Sequence, residues 1–187
     1  MKKFSYTELL KVYEERLVNE FHKEEIKPYE LIKRLLEEDK YMGYGLYEDD
    51  KLVAYAFLCK SEDSEYVMLD YYVVESEFRG SGYGSKFLSE LYEVTKSYKG
   101  IIGEIEDPNY AVDRDDLEYR EKRIKFYEKN KLYHTNVRSS VFGVKYIIMI
   151  MTKNEFIEEQ VAKSLRSIYS ELFGIEALDQ QIEIGIV

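Results

Sequence analysis

Between Arg79 and Lys86 the chain reads Arg-Gly-Ser-Gly-Tyr-Gly-Ser-Lys, with glycine at alternate positions and a basic residue at either end. Glycine opens backbone conformations closed to other residues and lets the chain approach a ligand, so that several N–H groups can converge on one point. Upstream, Val67 to Val74 is apolar and aromatic apart from Asp70, the pattern of a strand. Downstream, Phe87, Leu88, Leu91, Tyr92 and Val94 recur at helical spacing. A strand that turns through glycines into a helix leaves the first helical N–H groups without intrahelical partners, at the positive end of the helix dipole. The chemistry offered is anion binding, of phosphate above all.

Two familiar forms of that chemistry fail on spacing. A Walker loop needs Gly-x4-Gly-Lys-Ser/Thr, but Lys86 is preceded by Ser85 and followed by Phe87. A dinucleotide fingerprint needs Gly-x-Gly-x-x-Gly at the opening of a parallel fold, whereas Gly80, Gly82 and Gly84 are two apart.

The elements around the loop can be read in order. Thr7 is the expected cap of an amphipathic helix carrying Leu9, Tyr13 and Leu17; after Lys27-Pro28 a second helix, with Pro28 at its first position, carries Leu31, Ile32, Leu35 and Leu36. Tyr41 to Tyr47 and Leu52 to Cys59 read as a hairpin across Glu48 to Lys51, and the strand ending at Val74 follows through a polar turn. Three strands on short links should be antiparallel. Beyond the helix of about Ser85 to Ser97, Ile101 to Ile105 is a strand reached through a helical crossover and hence parallel to its predecessor. An acidic stretch with Asp113, Asp115, Asp116 and Glu118 leads into a helix with Ile124, Phe126 and Tyr127, then come closing strands at Lys131 to Val137 and Lys145 to Met151. From Asn154, the expected cap, a helix with Ile157, Val161, Leu165, Ile168 and Leu172 runs to Gly174, and Gln181 to Val187 looks like a short strand.

At 187 residues and 45% hydrophobic, the chain can build one core. Its net charge of −10 argues against nucleic acid or an anionic membrane as partner. Cys59 alone cannot form an internal disulfide and reads as a buried, inert thiol, while His22 and His134 are too far apart in sequence to suggest a triad; no metal site is expected. With no stretch of membrane-spanning length, the expected location is the cytoplasm.

Arg79-x-x-Gly82-x-Gly84 matches the Arg/Gln-x-x-Gly-x-Gly/Ala loop of the GNAT superfamily of N-acetyltransferases, and the order of elements from Lys3 to Thr152 resembles that family's. The resemblance implies an α/β (α+β) fold: a mixed, mostly antiparallel sheet flanked by helices and splayed at its two parallel strands. Residues 1–152 would form this domain, and 153–187 an appended helix and strand packing on it or on a partner subunit, with a homodimer as one outcome. Acetyl-CoA would be the donor. The N–H groups of Gly80, Ser81, Gly82, Tyr83, Gly84 and Ser85 would hold its pyrophosphate, with charge from Arg79 and Lys86 and the pantetheine arm pairing near Tyr72 and Val74.

The run Ile124 to Asn130 resembles the family's helix before the closing strands, which implies Tyr127 as the general acid protonating the leaving thiolate. For the base, Asp70, Glu104 and Glu106 flank the expected gap, and Glu104 and Glu106 share one strand face. The family often has Asn and Ala where this chain has Arg120 and Arg123, and the segment after Asn109 is longer than usual. The implied activity is acetyl transfer to a primary amine by direct attack in a ternary complex. The acidic residues suggest a cationic acceptor: a polyamine, an aminoglycoside-like amine or a basic peptide terminus. The alternative is a non-catalytic acyl-CoA-binding regulatory or interaction domain.

Overall fold

A computed structural model describes residues 1–23 and 25–187. Eight strands form one sheet: β1 (Lys2–Lys3), β2 (Tyr41–Glu48), β3 (Lys51–Cys59), β4 (Val67–Val74), β5 (Ile101–Glu106), β6 (Leu132–Val141), β7 (Val144–Met151) and β8 (Ile182–Ile186). Their order is β1-β2-β3-β4-β5-β7-β6-β8, and only β4 and β5 run parallel. The antiparallel pairs β2/β3 and β6/β7 are closed by two-residue turns, Asp49-Asp50 and Phe142-Gly143, whose four residues all have positive φ. That is the turn geometry whose twist suits a hairpin.

The helices are α1 (Tyr6–Val12), α2 (Val18–Glu20), α3 (Tyr29–Glu37), α4 (Tyr83–Val94), α5 (Arg114–Lys129), α6 (Glu158–Phe173) and α7 (Ile175–Gln181). A π-helical turn at Tyr13–Leu17 joins α1 to α2. One face of the sheet, through Tyr55, Phe57, Met68, Tyr71 and Ile148, packs with Leu9, Leu17, Ile32 and Leu35 and with Val161, Leu165, Ile168 and Tyr169 of α6. The other, through Ala56, Leu58, Leu69 and Met149, packs with Phe87, Leu88 and Leu91 of α4 and Tyr127 of α5. No helix among the described residues is long and apolar enough to cross a membrane.

Several local expectations shift. Ser5, not Thr7, caps α1, in a capping box with Glu8, because Glu8 sits three residues on and can return a bond to the Ser5 N–H. Pro28 is itself the cap of α3, with extended backbone, and α6 starts at Glu158 rather than beside Asn154. After Gly174, whose φ of +81° ends α6, the short helix α7 was not expected. The last strand pairs antiparallel with β6 of the same chain, from Val137↔Ile186 to Val141↔Ile182.

The feature that prepares the site is a bulge in β4. Tyr71 faces Phe57 and Leu69 faces Leu58, leaving Asp70 as an extra residue. Strict alternation would put Asp70 and Tyr71 on opposite faces, but the bulge turns both toward the α6 side. It lies where pairing of β4 with β5 stops: Leu69↔Gly103 is the last partnered pair, and beyond it the strands separate.

Candidate functional site

At the top of β4 a 3-10 turn, Ser76–Phe78, delivers the chain to the glycine loop. Gly80 and Gly82 have φ of +78° and +86°, and a Cβ added at either would meet no atom within 4 Å. Sterics of the fold therefore do not demand glycine there; the left-handed backbone does, and the space above is open. Gly82 caps α4, whose first turn holds no acidic residue and no side-chain cap. Its N-terminal amides remain available to an anion.

Gly84 has a different task. A Cβ there would lie 3.1 Å from Phe126 and 3.4 Å from the Tyr72 hydroxyl, so a bare backbone lets α4 dock against α5 and β4. Tyr72 stacks on Phe87 at 5.6 Å and donates to the Gly84 carbonyl at 2.6 Å, tying strand to helix. Burial, then Tyr127 nearby, pushes the Tyr72 phenol well above its ordinary value, so it stays a neutral donor. Arg79 is held by its neighbours although its side chain stays 56% exposed. Its Nε donates to the Val74 carbonyl at 2.8 Å and its guanidinium pairs with Glu20 at 2.7 Å, so it braces the loop against the end of β4. Lys86 is exposed in the first turn of α4.

Tyr127 projects from α5 toward the α4 side of the gap, 7% exposed, edge-on to Phe126 at 5.3 Å. The Arg123 guanidinium lies against its phenol and, more loosely, 3.9 Å from Glu106. Arg120 is buried: it pairs with Asp116 at 2.8 Å, donates to the Asp107 carbonyl at 2.9 Å and stands 3.8 Å from Glu106. The two arginines thus join α5 to the end of β5 and engage Glu106.

The fold that holds this loop and tyrosine agrees with known proteins. The model of the Acetyltransferase (GNAT) family matches residues 7–130. The chain is 31% identical over 169 residues to "Putative acetyltransferase YjbC" of Bacillus subtilis (strain 168), covering 90% of this chain and 78% of that protein. The chain belongs to the GNAT acetyltransferase family. Among solved structures, a GNAT-family protein from Bacteroides thetaiotaomicron superposes with a TM-score of 0.73 at 18% identity, over 94% of this chain and 99% of that one. Another, from Desulfovibrio desulfuricans, gives 0.55 at 19% identity, over 79% and 92%.

On the opposite face of the gap this GNAT chain gathers a polar cluster within its core. Asp70 and Glu104 are each the first residue past the last pair that joins β4 to β5. The Asp70 side chain is 3% exposed, bound by Lys27 Nζ at 2.6 Å and by the Tyr41 hydroxyl. Burial works against the Lys27 charge, but Asp70 and the nearby Tyr71 and Glu104 outweigh it and hold the ammonium form well above its ordinary range. The Lys27 ammonium also lies over the rings of Tyr71, at 5.0 Å, and Phe173, at 5.7 Å. Glu104 has no cation within ion-pairing distance among the described residues. Its Oε1 accepts from the Tyr169 hydroxyl and from Ser139 Oγ at 3.3 Å. Burial pushes its carboxyl up to about 7, with Lys27 opposing and Asp70 adding to the rise.

Sequence reasoning missed Lys27, Tyr41, Ser139 and Tyr169. Lys27 and Asp70 are 43 positions apart, Tyr169 and Glu104 65, and neither pairing has a local signature. The bulge had a faint one, a lone acid followed by two tyrosines inside an apolar strand. Cys59 is buried and burial raises its thiol far above the usual range, while His134 pairs with Glu128 at 2.9 Å on the surface. No group of three or more metal-ligating side chains occurs among the described residues.

Proposed function

We propose that this GNAT acetyltransferase moves the acetyl group of acetyl-CoA to a primary amine by direct attack in a ternary complex. The observation that carries the reading is the separation of β4 and β5 beyond Leu69 and Gly103, beneath a helix start opened by Gly80 and Gly82. Acetyl-CoA fits these residues. Its pyrophosphate would lie on the first amides of α4, and its extended arm would take the free edge of β4 beside Val74 and Tyr72. It supplies an activated acyl group as a thioester.

The chain then has two proton tasks. The attacking amine forms a C–N bond as the C–S bond breaks; the amine gives up a proton and the leaving thiolate gains one. Glu104, poised near neutrality and one step inside the gap, suits the first task, directly or through water. Tyr127 suits the second, since its phenol faces the α4 side and the Arg123 cation stands by the oxygen that would be left charged. Asp70 and Glu106 are engaged by Lys27 and by Arg120 and Arg123, so less free negative charge awaits the acceptor than their number suggests. That favours a monoamine or peptide amine over a polycation.

The test is free-thiol release from acetyl-CoA across a panel of monoamines, polyamines and peptides, alongside thermal shift with coenzyme A. A clear rise in Tm at a hundredfold excess over Kd, about 2.7 kcal/mol of linkage, with amine-dependent thiol release supports transfer. Stabilisation by coenzyme A with no thiol release for any amine would favour a regulatory acyl-CoA-binding domain.

A further inference from the structure

The segment after the closing hairpin, outside residues 7–130 of the family match, reaches into the same polar cluster. We propose that this C-terminal extension completes the site, with Tyr169 of α6 as the positioning residue that clamps Glu104 at the base of the gap. The inference rests on the reading of Glu104 as the base.

The geometry is that of an aimed carboxylate. Oε1 of Glu104 is held by two hydroxyls, Tyr169 from α6 and Ser139 from β6, which also contact each other at 3.1 Å. Oε2 takes no donor among the described residues. Tyr169 is wholly buried and Ser139 is 4% exposed, whereas Glu104 keeps an accessible edge. One oxygen is thus fixed from the protein side and the other is left for a proton from outside. A tie serving only to dock α6 would not require a carboxylate as acceptor. The rest of the helix docks without one, through Val161, Leu165, Ile168 and Leu172, all buried.

Among the described residues, the charged and titratable groups around Glu104 come from different elements. Lys27 precedes α3, Asp70 lies on β4, Tyr146 on β7 and Tyr169 on α6, with Ser139 as the neutral donor from β6. Lys27 is committed to Asp70 at 2.6 Å, so the direct contacts to Glu104 are uncharged hydroxyls. Both stabilise the carboxylate over the acid, and removing one moves titration upward.

The measurement is the Glu104 carboxyl titration in the unliganded full chain, by carbon NMR or infrared difference against Glu104→Gln. It is paired with the pH profile of kcat/KM in wild type, Tyr169→Phe and Ser139→Ala. Tyr169→Phe is expected to raise the Glu104 midpoint by about one to two pH units, the worth of a hydrogen bond to a charged group. Ser139→Ala, at the longer distance, should raise it less. The acid limb of kcat/KM should move with the midpoint. An unmoved midpoint in both folded variants overturns the role of Tyr169. A midpoint that moves while the kinetic limb stays put leaves the clamp standing and removes Glu104 as the base.

Discussion

Residue identity decides less here than what each residue faces. Three carboxylates flank the gap, yet Asp70 is bound to Lys27, Glu106 faces two arginines and Glu104 meets hydroxyls. The Lys27–Asp70 pair is buried, so removing one partner strands a charge. Lys27→Met is expected to cost about 3–5 kcal/mol in urea unfolding, and Lys27→Met with Asp70→Asn distinctly less. Glu104 behaves in the opposite sense. Its carboxyl rises from 4.5 to about 7 on folding, so the folded chain binds the proton more tightly. Its contribution to stability is therefore full below about pH 4.5 and falls away as pH rises through about 7. Glu104→Gln should be more stable than wild type at pH 8, by at most about 3 kcal/mol, and lose that advantage near pH 4.5; urea midpoints at the two pH values check it. Tyr127→Phe is expected to lower kcat by about two orders of magnitude or more with coenzyme A affinity unchanged by calorimetry.

At the scale of elements, the site is a consequence of where pairing fails. The β4 bulge places two consecutive side chains on one face and coincides with the end of the β4–β5 ladder, so the two strands part and the first residue of each beyond that ladder, Asp70 and Glu104, enters the cluster. The glycine loop then needs backbone freedom at Gly82 and closeness at Gly84. Gly82→Ala, forced to hold φ near +86°, should lose about 1–2 kcal/mol of stability and much of the Tm gain from coenzyme A. Gly84→Ala should loosen α4 from Phe126, visible as a broader melt and weaker coenzyme A binding. The strands, the crossover and the glycine turn into α4 were legible in sequence because each is written in local signals: hydrophobic period, turn residues and glycine spacing. Ser5-Tyr6-Thr7-Glu8 also carries the spacing of a capping box, a local signal for Ser5 as the cap. What was not legible is non-local. Tyr169 is one of nineteen tyrosines, and only the packing of α6 across the sheet brings it to Glu104.

For the whole molecule, the issue is whether 153–187 is an appendage or part of the core. Its helix contributes Val161, Leu165, Ile168, Tyr169 and Leu172 to the same buried cluster as Tyr55, Phe57 and Ile148. A fully buried aliphatic or aromatic side chain is worth about 1.5–3 kcal/mol, so five of them rival the total stability of a typical domain, about 5–15 kcal/mol. One cooperative unfolding transition is therefore expected, with no separate melting of the tail, and a chain cut after Thr152 should not fold to a stable monomer. Cutting after Gln181 is the finer test, because it removes only β8 and leaves α6 in place. Five ladder positions on β6 would then become an open edge, the kind of surface that pairs with another chain. We expect that shorter chain to keep the Tyr169–Glu104 contact and its kcat/KM pH profile, but to self-associate as concentration rises in sedimentation experiments. If it stayed monomeric at high concentration, β8 would not be serving to cover the β6 edge.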